Sequence, residues 1–334
     1  MTRNDARAAA AATAIRATHS WFEANSGWAE PAREALVEWL ADGVCQCPDE
    51  CWVAPAGVCE HGLASWWLVL RAMGEHEDLT SADRPATLTN APNFRDLGGV
   101  STRDGRRVRH GELFRSGVLD ALDDTDRSVL KGLGLRTVID LRGDDERSQR
   151  PNALPGGLVE LHHAVTDVSA HPQAIIERIA RGEVDGLGAP MLRAGNRHFV
   201  QEQAHRFGEV VRLLFDARRR PAVVHCTAGK DRTGFTVACV LWSLGVEHDV
   251  VVADYLRTNE VMLERHERTL ADAAARGIDV EPLEAMLRVR RDYIDAAHEA
   301  AVQRFGSLEA FVRDGLGVSD ALRRRACEEL LEPR

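Results

Sequence analysis

Lysine is nearly absent from this chain of 334 residues. Of its 42 basic residues only Lys131 and Lys230 are lysines, and the rest are arginines. The formal net charge is −10, and neither a long basic run nor an alternation of basic and aromatic residues offsets it. This composition argues against general nucleic-acid binding. The short arginine clusters at 218–220 and 323–325 are typical of a solvated surface.

Long apolar runs are also missing. A membrane-spanning helix needs about 18 or more consecutive apolar residues, and no such run occurs, so no transmembrane segment is expected. The alanine-rich N-terminus is interrupted by charges and lacks the apolar core and cleavage site of a secretory signal. We therefore expect a cytoplasmic protein. Its length allows one large domain or two smaller ones.

A buried strand, a tight turn and a buried helix are predicted within residues 221–244. The apolar run at 221–225 contains β-branched residues and favours a strand, and the mostly apolar run at 232–244 favours a helix. The turn between them reads Cys-Thr-Ala-Gly-Lys-Asp. A glycine-containing turn that enters a helix directs backbone N–H groups and the positive end of the helix dipole at one point. The sequence therefore predicts an anion site here.

Side chains in and after this turn suit phosphoryl transfer. Cys226 lies where the helix terminus and two basic neighbours favour a thiolate, which is a nucleophile. Arg232 can bind two phosphate oxygens with its planar guanidinium. Asp231 is the expected general acid for the leaving oxygen and then the general base for water. We expect Thr233 to donate a hydrogen bond to the Cys226 sulfur, and Lys230 to add positive charge.

The spacing Cys-x5-Arg is by itself uninformative in a chain so rich in arginine, where about one chance match is expected. The complete string HCTAGKDRTG at 225–234, between a strand and a helix, is far more specific. It also contains Lys230, one of only two lysines. The competing interpretation is a structural cysteine in an ordinary β–α turn.

The string resembles the phosphate-binding loop of cysteine-dependent protein tyrosine phosphatases. Its Ala-Gly-Lys-Asp-Arg-Thr-Gly form resembles the bacterial atypical branch, which acts on phosphotyrosine and, in some members, on phosphoserine, phosphothreonine and phosphoinositides. The resemblance covers about residues 86–331. Besides the loop it is carried by five stretches, Asn93–Gly99, Leu113–Ser116, Val138–Arg142, Ala253–Leu256 and Phe305–Glu309.

The resemblance implies an α/β catalytic domain over residues 83–334, with a mostly parallel sheet flanked by helices and no cofactor for catalysis. The Trp-Pro-Asp loop of eukaryotic tyrosine phosphatases is missing from the sequence, which moves the acid role to Asp231. Asp167 is the alternative acid or substrate contact. A helical lid is expected within residues 258–300. One long helix is predicted over residues 281–304, which overlap the end of that segment. The expected phosphate and substrate contacts are Thr227, Ala228, Gly229, Lys230 and Thr233.

Residues 1–80 lie outside the resemblance and are predicted to form a small, helical, cysteine-rich module. Four of the 7 cysteines and a histidine fall between positions 45 and 61. Sulfur and imidazole ligands at this density indicate a structural zinc site. The preferred ligands are Cys47, Cys51, Cys59 and His61, with Cys45 as a substitute. Disulfides or simple packing of the cysteines are the alternatives.

The substrate is expected to be a phosphotyrosine protein, with a phosphoinositide as the alternative. Lys230 favours a lipid headgroup, whereas Thr227 stands where phosphoinositide 3-phosphatases often carry a second lysine. Two other functions remain open: a sulfur-transfer or redox enzyme, and a regulatory binding module that uses the N-terminal cysteines. Near the predicted strand at 136–141, Arg142 and Glu146 are expected to form a local ion pair.

Overall fold

The computed structural model divides the chain into two compact units, Met1–Ala86 and Thr87–Arg334. It describes residues 3–25, 30–41, 45–53, 58–59, 61–73, 88–165, 178–179, 181, 183 and 187–332. Asp167 lies outside these described residues. No helix within them has both the length and the apolar character needed to cross a membrane.

The N-terminal unit combines helices with a two-stranded hairpin. Its aromatic and aliphatic side chains form a small core in which Phe22, Leu36, Leu40, Trp66 and Trp67 are buried. The described elements, in chain order, are α1 (Arg3–Ala24), α2 (Arg33–Ala41), β1 (Cys45–Gln46), β2 (Trp52–Val53) and α3 (Trp66–Ala72).

The second unit is built on a five-stranded sheet, in the spatial order β3-β4-β7-β5-β6. All neighbouring pairs are parallel except β3 and β4, which are antiparallel. This arrangement confirms the predicted mostly parallel sheet. The strands are β3 (Arg95–Asp96), β4 (Leu113–Ser116), β5 (Thr137–Asp140), β6 (Val159–His162) and β7 (Ala222–His225).

Helices flank the sheet and fill the rest of the unit. The described helices are α4 (Asp124–Gly132), α5 (Asp144–Gln149), α6 (Ala189–Glu202), α7 (Ala204–Phe215), α8 (Asp231–Ser243), α9 (His248–Val261), α10 (Leu263–Ala275), α11 (Val280–Leu287), α12 (Arg291–Phe305), α13 (Leu308–Ala310) and α14 (Asp320–Leu330). Short turns of 3-10 and π helix occur at Ala217–Arg219 and Phe311–Gly315.

The central strand β7 and helix α8 form the middle of the core, as their apolar sequences predict. Every residue of both elements is buried. Phe235 of α8 packs edge-on against Phe207 of α7, with ring centroids 4.6 Å apart. A strand buried on both faces is typical of a parallel sheet. The core therefore fixes both ends of the turn at 226–230.

The prediction of one long helix over residues 281–304 is wrong. The chain leaves the helix at Arg288, whose backbone is extended, and α12 starts at Arg291. The amide side chain of Asn259 explains the break, because it binds both backbone groups of Val289 at 2.8 Å. A side chain from another helix thus replaces the helical hydrogen bonds at this point.

We expect Gly208→Ala to destabilise the second unit strongly. A Cβ at Gly208 in α7 would lie only 1.9 Å from the carbonyl oxygen of Leu316, so the backbone must shift. Overpacking of this kind costs about 1–3 kcal/mol. Gly132→Ala is the matched control, because nothing lies within 4 Å of its Cβ position. Urea unfolding should show a large decrease in the free energy of unfolding for Gly208→Ala and little change for Gly132→Ala. Equal free energies of unfolding in the two variants would contradict this packing.

Candidate active site

The predicted anion turn joins the carboxyl end of β7 to the N-terminus of α8. Cys226 follows the strand directly, and its side chain is buried. Asp231 is the first residue of the helix. In parallel α/β sheets, ligands bind outside the carboxyl ends of the strands. The cysteine therefore lies at the usual ligand edge of this sheet.

The outer side of the turn packs against the end of β4. Gly229 has φ of +70°, and a Cβ there would lie 2.6 Å from the backbone of Ser116 and Gly117. Only glycine fits this position without strain. The carbonyl of Thr227 also faces this side, where it accepts a hydrogen bond from the Val118 amide at 3.0 Å.

The amides of the turn remain available for a ligand. Among the described residues, no backbone carbonyl accepts a hydrogen bond from the amides of residues 227–230. The N-terminus of α8 adds a positive partial charge at the same place. Amides at a helix N-terminus form a phosphate site, which is the chemistry predicted from the sequence.

Arg232 is held by a carboxylate that sequence reasoning did not place in the site. Its Nη1 and Nη2 atoms each donate to Glu146 at 2.7 Å, and Nη1 lies 3.4 Å from the Leu141 carbonyl. The hydroxyl of Thr227 also donates to Glu146. Because a guanidinium carries five N–H donors, this bidentate pair fixes its orientation without using all of them.

The expected ion pair between Arg142 and Glu146 is wrong. Arg142 instead binds Asp140, with Nη2 and Oδ2 2.8 Å apart. Burial would raise the pKa of Glu146, but Arg232 outweighs it and lowers that pKa to about 2. A sequence signal was present, because Glu146 ends an acidic run that follows strand β5 and therefore lies at the same sheet edge as the cysteine.

Lys230 of the turn and Thr233 of helix α8 occupy different surroundings. Lys230 donates to the carbonyl of Met286, and its Nζ lies 3.3 Å from Oδ2 of Asp231. Thr233 is fully buried, and its hydroxyl donates to the Ser116 carbonyl at 3.5 Å. The expected hydrogen bond from Thr233 to the cysteine sulfur is therefore corrected, because this hydroxyl faces β4.

His225 lies beneath the turn and does not line the cavity above Cys226. Its Nδ1 is 3.2 Å from the carbonyl of Cys226, and its Nε2 is 3.2 Å from the side-chain nitrogen of Asn152. Complete burial lowers the pKa of His225, so the ring stays neutral. This geometry suits a structural role in fixing the start of the loop.

One cavity of about 260 Å³ opens above the cysteine. The sequence-predicted residues that line it are Cys226, Thr227, Ala228, Lys230, Asp231 and Arg232. Gly229 and Thr233 do not line the cavity. Its opposite wall comes from α10 and α11 and their flanks, through Met262, Arg265, His266, Thr269, Leu283, Met286 and Leu287. These two helices lie within the segment 258–300, where a lid was expected.

The N-terminal unit brings together three of the four preferred metal ligands. Cys51, Cys59 and His61 place their ligand atoms within 4.8 Å of one another, and Asp49 supplies the fourth member of this cluster. Cys47 lies outside this tight group, but its thiol packs with Cys59 in one small buried cluster and donates to the carbonyl of Leu63 at 3.4 Å. Cys45, the substitute ligand, is buried in the separate aromatic core.

A cysteine in an amide-lined loop at a helix N-terminus, followed six residues later by an arginine, is the arrangement of the Cys-x5-Arg phosphatases. The chain belongs to the tyrosine phosphatase family, whose model matches residues 86–332. The protein is therefore a phosphoric monoester hydrolase of the protein-tyrosine-phosphatase type.

Two similar proteins come from bacteria. The triple specificity protein phosphatase PtpB of Mycobacterium tuberculosis is 34% identical over 267 residues, which cover 70% of this chain and 94% of PtpB. A Cupriavidus necator protein, assigned by name as a tyrosine-protein phosphatase, is 32% identical over 229 residues, with 69% and 83% coverage. Among solved structures, Pseudomonas aeruginosa TpbA matches 55% of this chain and 89% of its own, at 19% identity and a TM-score of 0.30.

We expect the helices α10 and α11 to open more often at acidic pH. His266 is buried, and its Nδ1 has no hydrogen-bond partner among the described residues. Burial, followed by the charges of Lys230, Arg288 and Arg265, lowers its pKa to about 4. An exposed histidine has a pKa of about 6.5, so between these values only an opened form takes up the proton, and falling pH favours opening.

Hydrogen exchange over residues 263–287, corrected for intrinsic rates, measures this opening. Linkage predicts about 20-fold more frequent opening at pH 5 than at pH 7. His266→Gln is the matched variant and should remove most of this dependence. An unchanged pH dependence in that variant would contradict the role of His266.

Proposed function

We propose that the enzyme hydrolyses phosphotyrosine through a phosphocysteine intermediate. In the first step the Cys226 thiolate attacks phosphorus, and the bond from phosphorus to the tyrosine oxygen breaks. Asp231 gives its proton to that leaving oxygen. Arg232 and the loop amides stabilise the charge on the transferring phosphoryl group. The support is geometric, since these groups converge on one cavity at a helix N-terminus.

In the second step, water attacks phosphorus and the bond between phosphorus and sulfur breaks. Asp231, now ionised, takes a proton from this water, and inorganic phosphate leaves with the thiolate restored. The nucleophile, the acid–base group and the groups that stabilise charge in these two steps all belong to the chain, and neither step calls for a metal. A nucleophilic thiolate survives best under reducing conditions, which supports a cytoplasmic location.

The cavity favours an aromatic phosphate ester. Its wall includes the apolar side chains of Pro92, Met262, Leu283, Met286 and Leu287. A cavity of about 150 Å³ is large enough for benzene, so about 260 Å³ leaves room for a phenyl ring together with its phosphate. The single observation that carries the proposal is this apolar wall facing an amide-lined loop with Cys226 at its base.

A phosphoinositide is the second candidate substrate. The same cavity is lined by Arg150, Lys230 and Arg265 in addition to Arg232. Basic groups beside the reacting phosphate would attract a headgroup that carries further phosphates. The relative named a triple specificity phosphatase supports a broad substrate range for this kind of enzyme.

Phosphate release from a phosphotyrosine peptide and from a panel of phosphoinositides tests this proposal. The peptide should be turned over by the wild type, with or without a chelator, and not by Cys226→Ser. Asp231→Asn should lower kcat by about 10²–10⁴, as expected on loss of a general acid. Cys327→Ser is the matched thiol control and should keep full activity, because Cys327 does not line the cavity.

Faster phosphate release from one phosphoinositide than from the peptide would identify the enzyme as a phosphoinositide phosphatase. Undiminished turnover in Cys226→Ser would contradict the mechanism. Absence of turnover on every ester in the wild type would contradict the proposed function.

We also propose that the N-terminal cluster binds one zinc ion in a structural role. Zinc prefers four sulfur, nitrogen and oxygen ligands in a tetrahedron. Asp49, Cys51, Cys59 and His61 supply such a mixed set from two loops that lie close together. The two loops turn back through hydrogen bonds from the Glu50 amide to the Cys47 carbonyl and from the Gly62 amide to the Cys59 carbonyl, both 2.9 Å.

The distances within the cluster support this ligand set. Zinc bond lengths of about 2.0–2.3 Å put neighbouring tetrahedral ligand atoms about 3.3–3.8 Å apart. The Cys51 sulfur is 3.5 Å from His61 Nδ1, and the Cys59 sulfur is 3.5 Å from Asp49 Oδ2. His61 Nδ1 and Asp49 Oδ2 are closer, at 2.6 Å, as a direct hydrogen bond requires.

Metal analysis of the purified full-length protein tests the zinc site. The wild type should carry one zinc per chain, and Cys59→Ser should lose it. Cys45→Ser is the matched control and should keep the zinc, because Cys45 lies in the aromatic core. Comparing Asp49→Asn with Cys47→Ser identifies the fourth ligand, and the first should lose more zinc. A wild type that takes up no zinc after refolding with the metal would overturn the proposal.

A further inference from the structure

Three sequence stretches that carry the family resemblance converge on a single carbonyl oxygen of the phosphate loop. The oxygen belongs to Gly229. It accepts hydrogen bonds from Nη2 of Arg115 at 2.8 Å and from the side-chain nitrogen of Asn93 at 2.7 Å. Asp254 binds Nη1 of the same arginine at 2.6 Å. None of these three side chains lines the cavity above the cysteine.

Arg95 completes this cluster. It donates to both the carboxylate and the main-chain oxygen of Asp254, at 3.1 and 2.8 Å, and it contacts the side chain of Asn93. All four side chains are buried, and Arg115 is fully buried. Burial alone would raise the pKa of Asp254, but the charges of Arg95 and Arg115 outweigh it and hold that pKa well below its usual range. Two cations thus share one anion.

Stability alone does not account for this arrangement. Removing charges from water is costly, and replacing a buried ion pair by apolar residues is often neutral or stabilising. Within the described part of the chain, Asp254 is the one carboxylate paired with these two buried guanidinium groups, which leaves a net positive charge behind the loop. The strand register puts Arg115 directly beside Val224, two residues before the cysteine. The excess charge therefore lies close to the site where a thiolate and a phosphate must bind.

We propose that Arg115 and Asn93 are positioning residues of the phosphate loop, supported by Arg95 and Asp254. By binding the carbonyl of Gly229 from outside, they turn the neighbouring amides toward the cavity, and the excess positive charge favours anions there. The inference rests on the proposed role of Cys226 as nucleophile. It adds four residues that act on the reaction without touching the substrate.

Alkylation of Cys226 by iodoacetate, followed by mass spectrometry of its peptide across a pH series, reports the thiolate directly. Arg115→Lys keeps a charge but cannot bind Asp254 and the Gly229 carbonyl together. We expect the pH of its half-maximal alkylation to rise by about one unit, because loop amides that turn away from the sulfur stabilise its thiolate less. We also expect kcat/KM for a phosphotyrosine peptide to fall about 100-fold through kcat, since small displacements of catalytic groups have effects of this size.

Asn93→Gly provides a milder second variant. Asn93 has φ of +59°, which glycine adopts without strain, so the backbone is kept and the losses are the side-chain contacts with Gly229, Arg95 and Thr258. The pH of half-maximal alkylation should rise and kcat/KM should fall, both by less than in Arg115→Lys. If Arg115→Lys does not fold, Asn93→Gly tests the positioning role by itself.

Arg220→Lys is the matched control for loss of a buried arginine. Arg220 is also buried and is paired with two carboxylates, Glu112 and Glu329, but it lies at the other end of β7. It should lose stability while keeping the alkylation profile and kcat/KM of the wild type. The positioning role is overturned if Arg115→Lys and Asn93→Gly lose only stability, as this control does. The alkylation readout needs no turnover, so a failure of the proposed function is seen separately.

Discussion

The geometry of the site depends on how the carbonyl groups of the phosphate loop are bound. A short loop has as many carbonyls as amides, and it can present amides to an anion only if the carbonyls are satisfied elsewhere. Here the amide of Val118 binds the Thr227 carbonyl, and Arg115 with Asn93 binds that of Gly229. The packing of Gly229 against the end of β4 allows no side chain at this position. Contacts on the side of the loop away from the cavity therefore determine the geometry of the anion site.

Two acidic residues beside this loop have different roles. Glu146 binds Arg232 in a bidentate pair at the mouth of the loop and orients its guanidinium. Asp254 holds two buried arginines behind the loop. In an acidic chain, positive potential at the site must come from such short-range placement, because the net charge of −10 repels an anionic substrate at longer range.

The sequence was sufficient for the strand–turn–helix at 221–244 through local pattern and turn chemistry, and for the mostly parallel sheet through the family resemblance. It did not reveal the partner of Arg232, since Glu146 lies 86 residues away along the chain. Nor did it reveal the break at Arg288, because the Asn259 side chain that causes it belongs to another helix. Contacts between distant side chains are set by the fold, which local patterns do not encode.

In the proposed mechanism, phosphate passes through the sulfur of Cys226. Rapid quenching of the enzyme during turnover of a phosphotyrosine peptide, with mass spectrometry of the cysteine-containing peptide, tests it most directly. Asp231→Asn is the variant of choice, because loss of the general base should slow hydrolysis of the intermediate. We expect phosphate on Cys226 within the first turnover and none in Cys226→Ser. Phosphate on another residue, or fast turnover with no modified Cys226 at any time, would contradict it.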